Sequence, residues 1–91
     1  MTRKQIIALF APGQRVRVTN HYITKTDHPC YGIQDRTIAR VNGNSLWFTE
    51  TGNVEWPNAA QLLASNDGRV VSLFGGGIGQ GPNDLFLTLE L

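Results

Sequence analysis

The 91-residue chain contains one cysteine, Cys30, so no internal disulfide supports its fold. Such cysteine usage points to a reducing compartment and a cytoplasmic location. Charge is also scarce. Only 16% of residues are Asp, Glu, Lys or Arg, which speaks against a helical bundle and against a disordered chain. No apolar run approaches the roughly 20 residues that span a bilayer, so no membrane is expected among the partners. The opening Arg3-Lys4 followed by Ile6-Ile7-Ala8-Leu9-Phe10 mimics a signal peptide. Pro12-Gly13 cuts that run too short. Close ligand pairs of the Cys-x2-Cys or His-x3-His kind are missing, as is a phosphate loop ending in Gly-Lys-Ser/Thr. No metal, cofactor or catalytic residue is therefore expected, and the chain does not read as an enzyme.

What is present is a short helical signal followed by a switch to period two. Thr2 and Gln5 have capping-box spacing, and Ile6, Leu9 and Phe10 repeat at i, i+3, i+4 before Pro12-Gly13. This predicts an N-terminal helix of two to three turns within residues 1–12, laid against a larger body. Val16 and Val18 then alternate with Arg15, Arg17 and Thr19, as a half-buried strand requires. Residues 20–35 are polar, hold Pro29 and Gly32, and read as a long irregular loop or loose hairpin. Asn42-Gly43 between two β-rich runs marks a hairpin, and Thr51-Gly52-Asn53 marks the next turn, giving a three-strand meander. Trp56-Pro57 followed by an Ala- and Leu-rich stretch predicts a helical turn near residues 57–64. Residues 69–74 form a further strand. A glycine-rich hairpin loop beginning at Gly75 then leads to a last strand in which Leu85, Leu87, Leu89 and Leu91 alternate with Phe86, Thr88 and Glu90.

The expected fold is a single, mostly β domain over residues 1–91, with the barrel proper over 13–74 and the glycine-rich hairpin over 75–91. Short strands hide their edges most simply by closing into a small barrel. The opening strand Gly13-Gln14-Arg15-Val16-Arg17-Val18, the long loop, the meander and the Trp56-Pro57 turn together resemble SH3-like small β-barrels at the level of fold. That resemblance implies a barrel architecture and decides no function, because the fold hosts many unrelated activities.

Charge is unevenly placed. Residues 1–40 carry seven bases against two acids, and residues 41–91 one base against five acids. Either this marks a basic face or the halves interleave and cancel. Arg15 and Arg17 share one strand face and Arg36 and Arg40 share a face on another; if those strands are neighbours, the four guanidinium groups form one patch. With Tyr22, Tyr31, Trp47 and Trp56 they form the candidate binding set: arginine and aromatic residues anchor protein interfaces, and the same types grip single-stranded nucleic acid. Trp47 is expected to lie under the N-terminal helix, and Tyr22 and Tyr31 to be exposed. His21, Asp27, His28, Cys30 and Asp35 form the only cluster of chemistry-capable residues, without ligand spacing.

These features point to a non-enzymatic, protein-binding module, a small adaptor or inhibitor with a regulatory role. Homo-oligomerisation enters through the Leu-rich last strand, which could pair across a dimer edge. The alternatives are nucleic-acid binding through a basic and aromatic face, and nucleotide or small-metabolite binding at the glycine-rich loop.

Overall fold

Alternation of apolar and polar residues produces seven strands. The computed structural model describes residues 1–43, 45–55, 61–76 and 79–91, with side chains for all of these but 53–55. The strands are β1 (Arg15–Asn20), β2 (Ile33–Val41), β3 (Ser45–Phe48), β4 (Gly52–Glu55), β5 (Gln61–Ala64), β6 (Val70–Phe74) and β7 (Leu85–Glu90). They form one antiparallel sheet in the order β4-β3-β2-β1-β7-β6-β5, curled into a half-barrel. The chain therefore runs as two meanders, β1–β4 and β5–β7, joined where β7 returns beside β1.

Parity sets the direction of the edge strands. When every neighbour is antiparallel, seven strands leave the two edge strands, β4 and β5, pointing the same way. Such strands cannot close the sheet as a hairpin does. No ladder joins them among the described residues.

One face of every side-chain-resolved strand feeds a single core. Val16, Val18, Ile38, Leu46, Phe48, Leu62, Val71, Leu73, Leu87 and Leu89 are buried together. Each such burial stabilises the fold by about 1.5–3 kcal/mol. The core draws on β3 and β5, five strand steps apart, or roughly 24 Å in a flat sheet. Curling brings both to one cluster.

The N-terminal helix is present but short. α1 (Arg3–Ile7) begins with the expected capping box: Gln5 N–H donates to Thr2 Oγ1, and Thr2 N–H to Gln5 Oε1. It ends at Ala8, and Leu9 and Phe10 continue in tighter turns, donating to the carbonyls of Ile6 and Ile7. Pro12 disfavours helical backbone at Ala11 and so removes the last expected turn. Ile6 and Phe10 are buried in the core, and α1 packs on β5.

Two further expectations are corrected. Residues 61–64 do not form a helical turn; they are β5, in register with β6 from Gln61↔Phe74 to Ala64↔Val71. Leu62 is buried while Leu63 is half exposed, so period two prevails over the helix propensity of Ala, Leu and Gln once a ladder partner is in reach. The remainder of that predicted turn, 57–60, lies outside the described residues. The Leu-rich last strand is also no dimer edge. β7 is bonded on both sides, to β1 and β6.

Candidate binding surface

Strand directions gather the two longest loops at one end of the half-barrel. Asn20, at the close of β1, pairs with Leu87 near the start of β7. The β1–β2 loop (21–32) therefore emerges beside the β6–β7 loop (75–84). The two segments singled out separately in the sequence form one surface.

The first loop is tied at its base. Asn20 N–H donates to the Gly32 carbonyl at 2.9 Å, and the Asn20 Oδ1 accepts the amides of Tyr22 and Ile23 at 3.1 and 3.0 Å. This is an Asx turn, for which the short Asn side chain is suited. Further round, His28 Nδ1 accepts the Cys30 N–H at 3.0 Å, and Tyr31 N–H donates to the His28 carbonyl. The loop is then held to β7. His21 N–H donates to the Phe86 carbonyl at 3.0 Å, and His21 Nε2 lies 2.7 Å from Thr88 Oγ1. The rings of Tyr22 and Phe86 meet at 5.5 Å between centroids, tilted by 53°.

The second loop approaches Phe86 at Gly76. A Cβ on Gly76 would stand 2.6 Å from the Phe86 ring, so glycine is required there by contact. The described part of the loop closes on Asp84: Gly75 N–H donates to its carbonyl, and Gly81 N–H to its Oδ2 at 2.8 Å. A carboxylate thus already occupies an amide that a phosphate would need, and a strand rather than a helix follows.

Around this end, three large apolar side chains remain exposed: Tyr22, Tyr31 and Ile33, the last at 63%. Ile33 follows the Gly32 clasp and pairs with Thr19 on the convex face. Sequence reasoning missed Ile33 and Phe86. Phe86 had a signal, being an aromatic on the otherwise polar face of β7.

The four arginines do not form one patch. β1 and β2 are neighbours, but their register sets Arg36 opposite Val16, on the concave side. A register shift between Ile38 and Arg40 then reverses the alternation and turns Arg40 outward, opposite Trp47. Arg36 and Arg40 therefore do not share a face. Arg15 and Arg17 stand on the convex face but are paired with carboxylates, Arg15 with Glu50 at 3.2 Å and Arg17 with Asp35 at 3.4 Å. Glu90 is opposite Arg17 from β7. Together Arg15, Arg17, Asp35, Glu90, Val16 and Leu91 line a shallow groove of about 340 Å³. Here the halves of the chain interleave, and the basic excess of the first meets acids of the second.

Trp47 is not covered by α1, which packs on β5 instead. Arg40 lies over its ring at 4.7 Å, and its Nε1 donates to the Ser45 Oγ at 2.8 Å. Trp56 lies outside the described residues. Among the described residues, no three of His, Cys, Asp and Glu come together as metal ligands. Likewise, no described helix is long and apolar enough to cross a membrane.

Glu50 carries the clearest electrostatic signature. Thr37 N–H donates to its Oε1 at 2.8 Å and the Thr37 hydroxyl to its Oε2 at 3.1 Å. The backbone N–H of Thr37, foremost, holds this carboxyl below its ordinary value of 4.5, with Arg15 adding to the effect. Asp67 is likewise lowered, by the Ser65 hydroxyl and then the Arg69 N–H. A depressed carboxylate binds its proton more readily in the unfolded chain. Stability from Glu50 is thus present above the unfolded value and lost as pH falls through the lower folded one. Glu50→Gln is expected to flatten part of the acid limb of stability, followed by urea unfolding from about pH 7 to about pH 3. Parallel curves for the two proteins would remove Glu50 from that limb.

Compared with protein-family models, with curated proteins and with solved structures, the chain matches none.

Proposed function

We propose that this protein is a non-enzymatic binding module, an adaptor or inhibitor that takes another protein at the loop end of its half-barrel. The observation that supports this reading is the exposure of Tyr22, Tyr31 and Ile33 around the Asn20–Gly32 clasp, above a braced Phe86. Exposed large apolar groups held by a hydrogen-bonded base lose little freedom on binding, and aromatic residues dominate protein interfaces. We also read the fold as an enlarged SH3-like barrel. The opening strand, long loop and meander follow that plan, and the β5–β6 hairpin enlarges it.

Nucleic-acid binding through the arginines is the weaker reading. On the convex face Arg15 and Arg17 stand among Asp35, Glu50 and Glu90, so two bases meet three acids and a polyanion is not attracted.

Affinity capture from the native host, using wild-type protein and the Ile33→Asp variant, tests the proposal. A protein held stoichiometrically by the wild type and lost from the variant is the expected result. Because Ile33 is exposed, the variant should keep its stability within about 0.5 kcal/mol. Capture unchanged by Ile33→Asp, or of nucleic acid released by added salt, would overturn it.

A further inference from the structure

Arg40 differs from the other candidate arginines in what surrounds it. Arg15 and Arg17 are held by carboxylates, and Arg36 faces the concave side, donating to the Asp35 carbonyl. Arg40 is exposed and stacks on Trp47, and no carboxylate pairs with it among the described residues.

Its position is built rather than incidental. The register shift after Ile38 aims Arg40 outward; uninterrupted alternation would have turned it toward the core. The indole beneath it is fixed in turn. Trp47 Nε1 donates to Ser45 Oγ, and buried Ser45 is braced by Asn42 Oδ1, which accepts its N–H at 2.7 Å and its hydroxyl at 3.3 Å. A guanidinium lying on a fixed ring keeps its edge N–H groups for a planar acceptor.

From this geometry we infer that Arg40 on Trp47 is a docking point for a single carboxylate, an Asp or Glu side chain of a protein partner. A phosphate would satisfy the same fork, but a phosphodiester chain brings repeated charge. Elsewhere on the convex face Arg15 and Arg17 are matched by Asp35, Glu50 and Glu90, so Arg40 offers one unmatched positive charge, which suits one isolated acid and not a chain of them. Only the ownership of that carboxylate by a protein rests on the function proposed above. The docking point lies at the hairpin end of β2, opposite the loop end, so each can be tested alone.

The test is a titration of the 15N-labelled full chain with a blocked pentapeptide of four glycines around one central glutamate, followed on the arginine Nε–H and tryptophan indole signals. Saturable shifts of Arg40 and Trp47 by about 10 mM peptide are expected, with those of Arg15 and Arg17 unmoved. Arg40→Lys, which keeps the charge and loses the fork, should weaken binding about tenfold, and Arg40→Gln should abolish it. No saturable shift, equal shifts at all arginines, or an unchanged response in Arg40→Gln would overturn the assignment. So would tighter binding of a short oligothymidylate than of the peptide. Ile33→Asp should leave this titration unchanged, which separates its failure from that of the loop-end surface.

Discussion

Leu89→Ala is expected to destabilise the protein by about 2–5 kcal/mol, the range for emptying a leucine site in a packed core. Leu89 is fully buried in β7, which is bonded to β1 on one side and β6 on the other. Its loss therefore weakens the seam between the two meanders. For a domain of this size total stability is about 5–14 kcal/mol, so the substitution removes a large share of it. Thermal unfolding should show this as a fall of about 4–8 °C per kcal/mol. Leu63→Ala is the control. Leu63 is 48% exposed on edge strand β5, and its loss should cost less than about 1 kcal/mol. Equal losses at the two sites would mean that β7 is not the seam.

The second large effect is expected at Gly76→Ala. The added methyl would stand 2.6 and 2.8 Å from two carbons of the Phe86 ring, and that ring is also in contact with Tyr22. The ring must move or the loop must lift, at about 1–3 kcal/mol. Either movement disturbs Tyr22, so the loop-end surface should lose its partner along with stability. Gly43→Ala offers the comparison, since a Cβ there meets nothing within 4 Å and the backbone is not left-handed. It should change stability by no more than about 0.5 kcal/mol. Combining Gly76→Ala with Phe86→Leu should recover part of the loss, a coupling of about 0.5–3 kcal/mol in a double-mutant cycle. Strict additivity would show that the two residues do not share the strain.

Much of the fold was legible because its signals are local. Val16 and Val18 flank Arg17, Leu46 and Phe48 flank Trp47, and Leu87 and Leu89 flank Thr88, and all six flanking residues are buried on one side of the sheet. The Thr2–Gln5 capping box formed as its spacing implied. The Asn42-Gly43 hairpin also formed, though by a different device: Asn42 Oδ1 braces Ser45, and Gly43 does not take a left-handed backbone. Residues 61–64 were misread because Gln, Leu and Ala suit a helix, and only the presence of β6 alongside makes them a strand.

The candidate surface was less legible, for a reason of the same kind. Tyr22 and Tyr31 were identifiable as aromatic residues in a polar loop and are exposed. Ile33 fell within the stretch that reads as a loop but opens β2, and Phe86 looked like an ordinary strand residue. The arginines part company for two reasons: the β1–β2 register sets Arg36 opposite Val16, and one extra residue later in β2 turns Arg40 to the other side.

Residue order alone determined the β character, the capped start of the helix, the turns and the inward-facing residues of β1, β3 and β7, since all of these depend on neighbours within a few positions. The return of β7 beside β1, the like direction of β4 and β5 at the two edges, the joining of two distant loops around Phe86 and the pairing of Arg15 and Arg17 with acids were decided by tertiary structure. Each depends on register between segments far apart in the chain, and a ladder that slips by one residue exchanges core for surface.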